Sequence, residues 1–261
     1  MKHQIAAYLD NAMTVLLLLV AGLTPLLFLN KTTEFFEMPK LIFLVVSTLL
    51  LVGLWIFSWI VKGKMTITRT PLDIPLLLLL VVVVASAWFS DSRYAAIYGN
   101  FPKVHGSAVS WVTYILLYFV TVSHLNTVAK VKMFLYSLYG SAIVVSLISL
   151  LSFFGLYLPF DFARAMNFTP TGSSFSTIAF LLLLIPLPLL SIINPNRNFP
   201  LPAALGLTTL FGIMIVLLGS LPTYIALFLA FALCFFVSKP QQIRKSFMMF
   251  IIPVVAIVLA L

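Results

Sequence analysis

Charge is scarce in this chain of 261 residues: only 8% are Asp, Glu, Lys or Arg, against 62% apolar residues and a mean hydropathy of +1.18. That balance lies far outside the range of water-soluble domains. Cysteine is scarcer still. The single Cys234 excludes an internal disulfide framework and a thiolate metal cluster. No phosphate-cradling glycine loop closed by Lys-Ser/Thr is present, and no His-Glu-x-x-His, so a nucleotide-driven pump is not encoded in this chain. The 15 basic residues form no block or stripe, which argues against nucleic acid as a partner and for lipid headgroups instead.

What is present in quantity is long apolar runs. A helix needs roughly 20 mostly apolar residues to cross ~30 Å of hydrocarbon, so the chain has room for about nine spans and none for a separate soluble domain. Runs such as Leu76 to Val84 lack the apolar-polar alternation of a membrane β-barrel. The expected fold is all-α, a single polytopic transmembrane domain over residues 1–261. Its spans are expected near 12–29, 41–61, 72–90, 108–124, 132–155, 174–193, 201–219, 222–237 and 246–261. Apolar segments recur to the last residue, which does not fit a simple cleavable leader. The 201–219 and 222–237 spans, parted only by Ser220 and Leu221 before Pro222, predict a tight hairpin. Pro186 and Pro188 predict a kink in the sixth span. Ser137, Gly140 and Ser141 offer a small-residue face in the fifth where a helix can approach closely.

Orientation follows from basic residues, which resist translocation. With a cytoplasmic N-terminus, Lys2, Lys62, Lys64, Arg69, Lys130, Lys132, Arg197, Lys239, Arg244 and Lys245 fall inside, and Lys31, Lys40, Arg93, Lys103 and Arg164 outside. Asp10 and Asp73 fall inside, and the four glutamates and aspartates that remain fall outside. The longest connections, 30–40, 91–107 and 156–173, then face outward. The ninth span also runs outward and stops at Leu261 without a polar flank, which predicts a natural parent that continues. No expected span carries an ionisable group near its centre. Asp73 and His124 fall at cytoplasmic edges, where interfacial water solvates them.

The segment from Ser90 to Gly106 gathers Arg93, Tyr94, Tyr98, Lys103 and His105. Arg grips phosphate oxygens bidentately, Lys and protonated His add charge, and aromatic faces suit sugars. The set fits a lipid-linked sugar diphosphate, and it equally fits an aromatic belt with snorkelling cations. Arg164, in the segment Phe160 to Gly172, completes the same mouth as a phosphate ligand or else pairs with Asp161.

Three groups of residues give the chain a family likeness. The first is Thr24-Pro25-Leu26 with Thr33-Glu34-Phe35-Phe36-Glu37-Met38-Pro39-Lys40. The second is Pro71-Leu72-Asp73-Ile74-Pro75, followed by Ser92-Arg93-Tyr94, by Tyr98-Gly99-Asn100-Phe101, by His105-Gly106 and by the aromatic span from Trp111 to Phe119. The third is Gly172-Ser173-Ser174-Phe175-Ser176-Thr177 ahead of a Leu-rich run ending at Pro186. In these the chain resembles the N-terminal portion of the O-antigen ligase and O-antigen polymerase family of bacterial envelope proteins. It departs from the pattern after Thr177, where an Asn-Pro-Asn element is missing, and the family's large external loop, with its key arginine and histidine, would lie beyond Leu261. The resemblance implies a metal-independent, cofactor-free glycosyltransferase in the cytoplasmic (inner) membrane. It would move a glycan from undecaprenyl diphosphate to a hydroxyl acceptor at the outer face, with residues 1–261 inactive by themselves. Arg93, Lys103 and Arg164 are then expected at the diphosphate, Tyr94 and Tyr98 at sugar or prenyl, and His105 in support. A lipid-glycan flippase or secondary transporter is the alternative.

Overall fold

The computed structural model describes residues 2–29, 34–100, 104–164, 167–193, 199–219 and 221–238; the expected span 246–261 lies outside them. The described residues are helical with short connections. In chain order the helices are α1 (Lys2–Leu23), α2 (Glu37–Lys62), α3 (Asp73–Trp88), α4 (Arg93–Tyr98), α5 (Ala108–His124), α6 (Val128–Phe153), α7 (Ser174–Leu184), α8 (Pro186–Ile193), α9 (Leu201–Leu218) and α10 (Leu221–Val237). Five stretches are long and apolar enough to cross a membrane: Gln4–Leu26, Glu37–Lys62, Val128–Phe153, Ser174–Ile193 and Leu201–Leu218. Asp73–Trp88, Ala108–His124 and Leu221–Cys234 are apolar but shorter.

Proline and glycine punctuate these helices for stereochemical reasons. Pro39, Pro75, Pro202 and Pro222 each sit in the first turn of their helix, where the missing N–H has no intrahelical acceptor to lose. Pro25 instead follows α1 and turns its end into a 3-10 turn, Thr24–Leu26. Gly63 stops α2 in the left-handed region (φ 64°), the usual glycine helix stop, with Lys62 in the last turn complementing the helix dipole. At Pro186 the sixth apolar run breaks: α7 ends at Leu184 and α8 starts at Pro186. Pro188 supplies no N–H for the Leu184 carbonyl, and the Tyr139 hydroxyl takes that place, donating to it at 2.6 Å.

The chain divides into two compact units, one up to Leu138 and the other from Tyr139, with the boundary inside α6. In the first unit α1 packs on α2, and α5 packs against α1, α2, α3 and α4. Met13, Leu17 and Val20 of α1, Leu44 and Leu51 of α2 and Val120 of α5 form its core. The Ser137 hydroxyl donates to the Leu18 carbonyl at 2.7 Å, and a Cβ at Gly22 would stand 2.8 Å from the Ser137 hydroxyl oxygen. The close approach expected on α6 thus belongs to Ser137. A Cβ on Gly140, expected to share that face, would meet nothing within 4 Å.

In the second unit α9 is central and packs against α7, α8 and α10. Leu181, Ile185, Leu189, Phe211, Met214 and Ile215 are fully buried there. Tyr139 stacks on Phe211 (6.3 Å, 5° between planes) and meets Phe199 edge-on at 4.9 Å. Tyr224 of α10 reaches back to donate to the Val216 carbonyl at 3.0 Å, closing the short α9–α10 connection.

Polarity is distributed opposite to that of a water-soluble bundle. Ile42, Leu49 and Ile60 of α2, Leu78, Val81 and Val82 of α3, Leu183 of α7 and Phe228 of α10 point outward, whereas Ser47, Thr48, Ser110, Ser146, Ser149, Thr177 and Thr208 are buried. Water would penalise such an outer surface, and lipid hydrocarbon would not.

Candidate functional site

The cation-aromatic segment is built around α4. The chain leaves α3 at Trp88, passes Ser90 to Ser92 and forms the single helical stretch Arg93–Tyr98. Gly99 ends it at φ 92°, so close to the next strand of chain that a Cβ would stand 2.8 Å from the Cα of Val104. Only glycine fits, because both the conformation and the space exclude a side chain. Beyond it Ser107 caps α5, accepting the Ser110 N–H at 3.3 Å, while the Ser110 hydroxyl donates back to the Ser107 carbonyl at 2.8 Å.

The expected site residues are placed as follows. Arg93 lies with its guanidinium 5.6 Å from the Trp88 ring centre and forms no ion pair among the described residues. Tyr94 and Tyr98, 76% and 57% exposed, pair along one face of α4 with ring centres 5.1 Å apart. His105 is hydrogen-bonded through Nδ1 to the Tyr114 hydroxyl at 2.6 Å, and the two rings are stacked. Lys103 lies outside the described residues. Arg164 belongs to the second unit, where it pairs with Asp161 at 3.5 Å, both side chains largely exposed.

Below α4 an apolar cavity of about 310 Å³ runs between α2 and α5. Ile97 of α4, Val45, Thr48 and Leu49 of α2, and Val112 and Leu116 of α5 are among the residues that line it. The Thr48 hydroxyl is buried without a hydrogen-bond partner. The same end of the unit holds the entry to α2. Glu34 accepts the backbone N–H groups of Phe36 (3.1 Å) and Met38 (2.7 Å) and so caps that helix. Lys40 is buried with its ammonium 5.7 Å from the Phe36 ring centre. Glu37 keeps one carboxylate oxygen buried without a hydrogen-bond partner, within electrostatic range of both Lys40 and Tyr114.

At the opposite end three helices bring together Asp10, His124 and Lys130, of which the sequence had set His124 in interfacial water and the other two only on the cytoplasmic side. The Lys130 ammonium donates to Asp10 Oδ2 at 2.8 Å, and His124 Nδ1 stands 3.6 Å from Asp10 Oδ1. His124 Nε2 shares a 2.8 Å hydrogen bond with Thr14, whose hydroxyl also reaches the Asp10 carbonyl at 2.9 Å. His124 is buried, which corrects the expectation of solvation at the span's edge. Asp10 lies within α1, because that helix starts at Lys2, ahead of the span expected near 12–29, and its carboxylate is paired with Lys130. Asp73, the first residue of α3, is held by its own turn: its carboxylate accepts the Thr70 N–H at 2.9 Å and the Thr70 hydroxyl at 2.7 Å.

Sequence reasoning missed this Asp10–His124–Lys130 meeting, whose only local signal was an aspartate inside a helix-forming run. It also missed Tyr114 as the partner of His105. No protein-family model, curated protein or solved structure matches the chain.

Proposed function

We propose that the chain is the N-terminal part of a membrane glycosyltransferase of the O-antigen ligase or polymerase type, threaded about nine times through the bacterial inner membrane from a cytoplasmic N-terminus. The donor would be a glycan on undecaprenyl diphosphate, the acceptor a hydroxyl, and the site the outer face. The observation that carries this reading is the placement of α4. Its Ile97 lines the apolar cavity between α2 and α5, and the same short helix carries Arg93 and two exposed tyrosines. A lipid-linked diphosphate needs both halves of such an arrangement, cations for the phosphates and hydrocarbon-like walls for the chain. In transfer, negative charge grows on the departing diphosphate, and a guanidinium beside it lowers that barrier. Aromatic faces hold the first sugar or the prenyl stem. His105, bonded to Tyr114, steadies the loop that returns from α4 to α5.

A second reading, a lipid-glycan flippase or secondary transporter, is favoured by one observation: Asp10, His124 and Lys130 meet where three helices of the first unit come together, and clusters of ionisable groups between membrane helices mark ion pathways. One experiment separates the two. Membranes expressing the gene's complete product are assayed for glycan transfer from a prenyl-diphosphate donor. Arg93→Ala and Lys103→Ala should each lower transfer about tenfold or more while membrane insertion is kept, the scale of one charge-assisted contact to a transition state. Unchanged transfer in both, with loss of substrate movement across vesicles in Asp10→Asn, would replace the enzymatic reading with the transport one.

A further inference from the structure

Where α1 begins and α2 ends, a cavity of about 520 Å³ opens at the end of the first unit opposite α4. Lys2, Ala6, Ala7 and Asp10 of α1 and Val61 and Lys62 of α2 line it. The charges on its wall do not cancel. Asp10 is already taken by Lys130 at 2.8 Å, and neither Lys2 nor Lys62 forms an ion pair among the described residues. His124 and Lys62, the other titratable groups within electrostatic range of Asp10, add no negative charge, so the wall keeps a net positive charge. The cavity therefore presents two unpaired ammonium groups above an apolar floor of Ala6, Ala7 and Val61.

We propose that this cavity binds the headgroup of an anionic phospholipid. Phosphodiester oxygens accept charge-assisted hydrogen bonds from both lysines. The glycerol and first methylenes cover the alanines and the valine, which a free phosphate ion would leave exposed. A zwitterionic headgroup brings its own ammonium into a cavity that is already net positive, so a lipid of net negative charge is selected. The position suits the ligand, since Lys2 and Lys62 stand at the ends of helices long and apolar enough to cross a membrane, and each basic residue near an anionic surface contributes about 1 kcal/mol, equivalent to about fivefold in affinity.

The test uses the full 261-residue chain in nanodiscs of mixed phosphatidylcholine and phosphatidylglycerol, with lipids that remain bound counted by native mass spectrometry. Wild type should retain phosphatidylglycerol over phosphatidylcholine. Lys2→Gln with Lys62→Gln should lower that retention about 25-fold, and Lys132→Gln, an exposed basic residue of α6 away from the cavity, should leave it unchanged. Ala6→Trp, which fills the cavity and keeps both lysines, should lower it as well, and circular dichroism confirms that each variant is folded. Equal retention in wild type and the double variant overturns the proposal. So does retention unaffected by Ala6→Trp, and so does displacement of the lipid by millimolar inorganic phosphate, which would make the site one for a free anion.

Discussion

Tyr139 shows how a single residue can complete a helix it does not belong to. Pro188 deprives the Leu184 carbonyl of its intrahelical donor, and the phenol of Tyr139 supplies one from α6. Both residues are buried, so Tyr139→Phe leaves a carbonyl with no alternative partner. The expected cost is about 1–2 kcal/mol, read as an earlier midpoint when the purified chain is unfolded by heat in detergent. The Asp10–Lys130 pair makes a second residue-scale prediction. Lys130 is only 15% exposed, so Asp10→Asn strands a shielded ammonium, whereas Asp10→Asn with Lys130→Met removes both charges. The single change should destabilise by about 1–3 kcal/mol, between the values for exposed and fully buried pairs, and the double change by less than the sum of its parts. Additive losses would show that the two side chains are not coupled. Neither contact was legible in the sequence. A proline identifies the carbonyl it orphans, but nothing local says that a tyrosine 45 residues earlier will answer it.

Helices, by contrast, were largely readable. Apolar runs, first-turn prolines and stopping glycines act over a few residues, and eight of the expected spans fall on described helices, the sixth as α7 followed by α8. α1 begins ahead of the span expected near 12–29, and the Lys130 partner that pairs with Asp10 across the unit lies too far along the chain to be read locally. The small-residue face of α6 was legible in part: a helix does approach it at Ser137, but the motif could not say which helix or which member. That contact gives an element-scale prediction of unusual sign. Gly22→Ala pushes against the Ser137 hydroxyl at 2.8 Å and must displace its bond to Leu18, at a cost of about 1 kcal/mol. With Ser137→Ala already in place, the same Gly22→Ala should be neutral or stabilise by a few tenths of a kcal/mol, since alanine is the better helix former. Thermal midpoints of the four proteins decide it, and an equal penalty in both backgrounds would contradict the assigned contact.

Across the molecule, the informative pattern is how the two ends of the first unit differ. The connection from α2 to α3 meets the end of α5 through Thr68 and Ser123 (3.3 Å), and Lys130 of α6 meets Asp10 of α1. That end carries Lys2, Lys62, Lys64, Arg69, Lys130 and Lys132 against two aspartates. The described residues of the other end carry Lys40 and Arg93 against Glu34, Glu37 and Asp91. These contacts group the basic connections at one end of the unit, and α4 with its cavity lies at the other. The candidate site was legible as a composition, cations beside aromatics, and not as a geometry. The cavity beneath α4 lies between α2 and α5, with Thr48 and Val112 in its lining, residues far from Arg93 in sequence.

The central claim is that α4 faces outward from a chain embedded in lipid, and labelling tests it most directly. Cys234, the single native cysteine, is buried in α10 and gives a low background. Asn100→Cys and Lys64→Cys are each treated in intact cells with a membrane-impermeant maleimide. The account predicts that residue 100 is labelled at once and residue 64 only after the membrane is opened. Labelling of residue 64 in intact cells, with residue 100 protected, would contradict it.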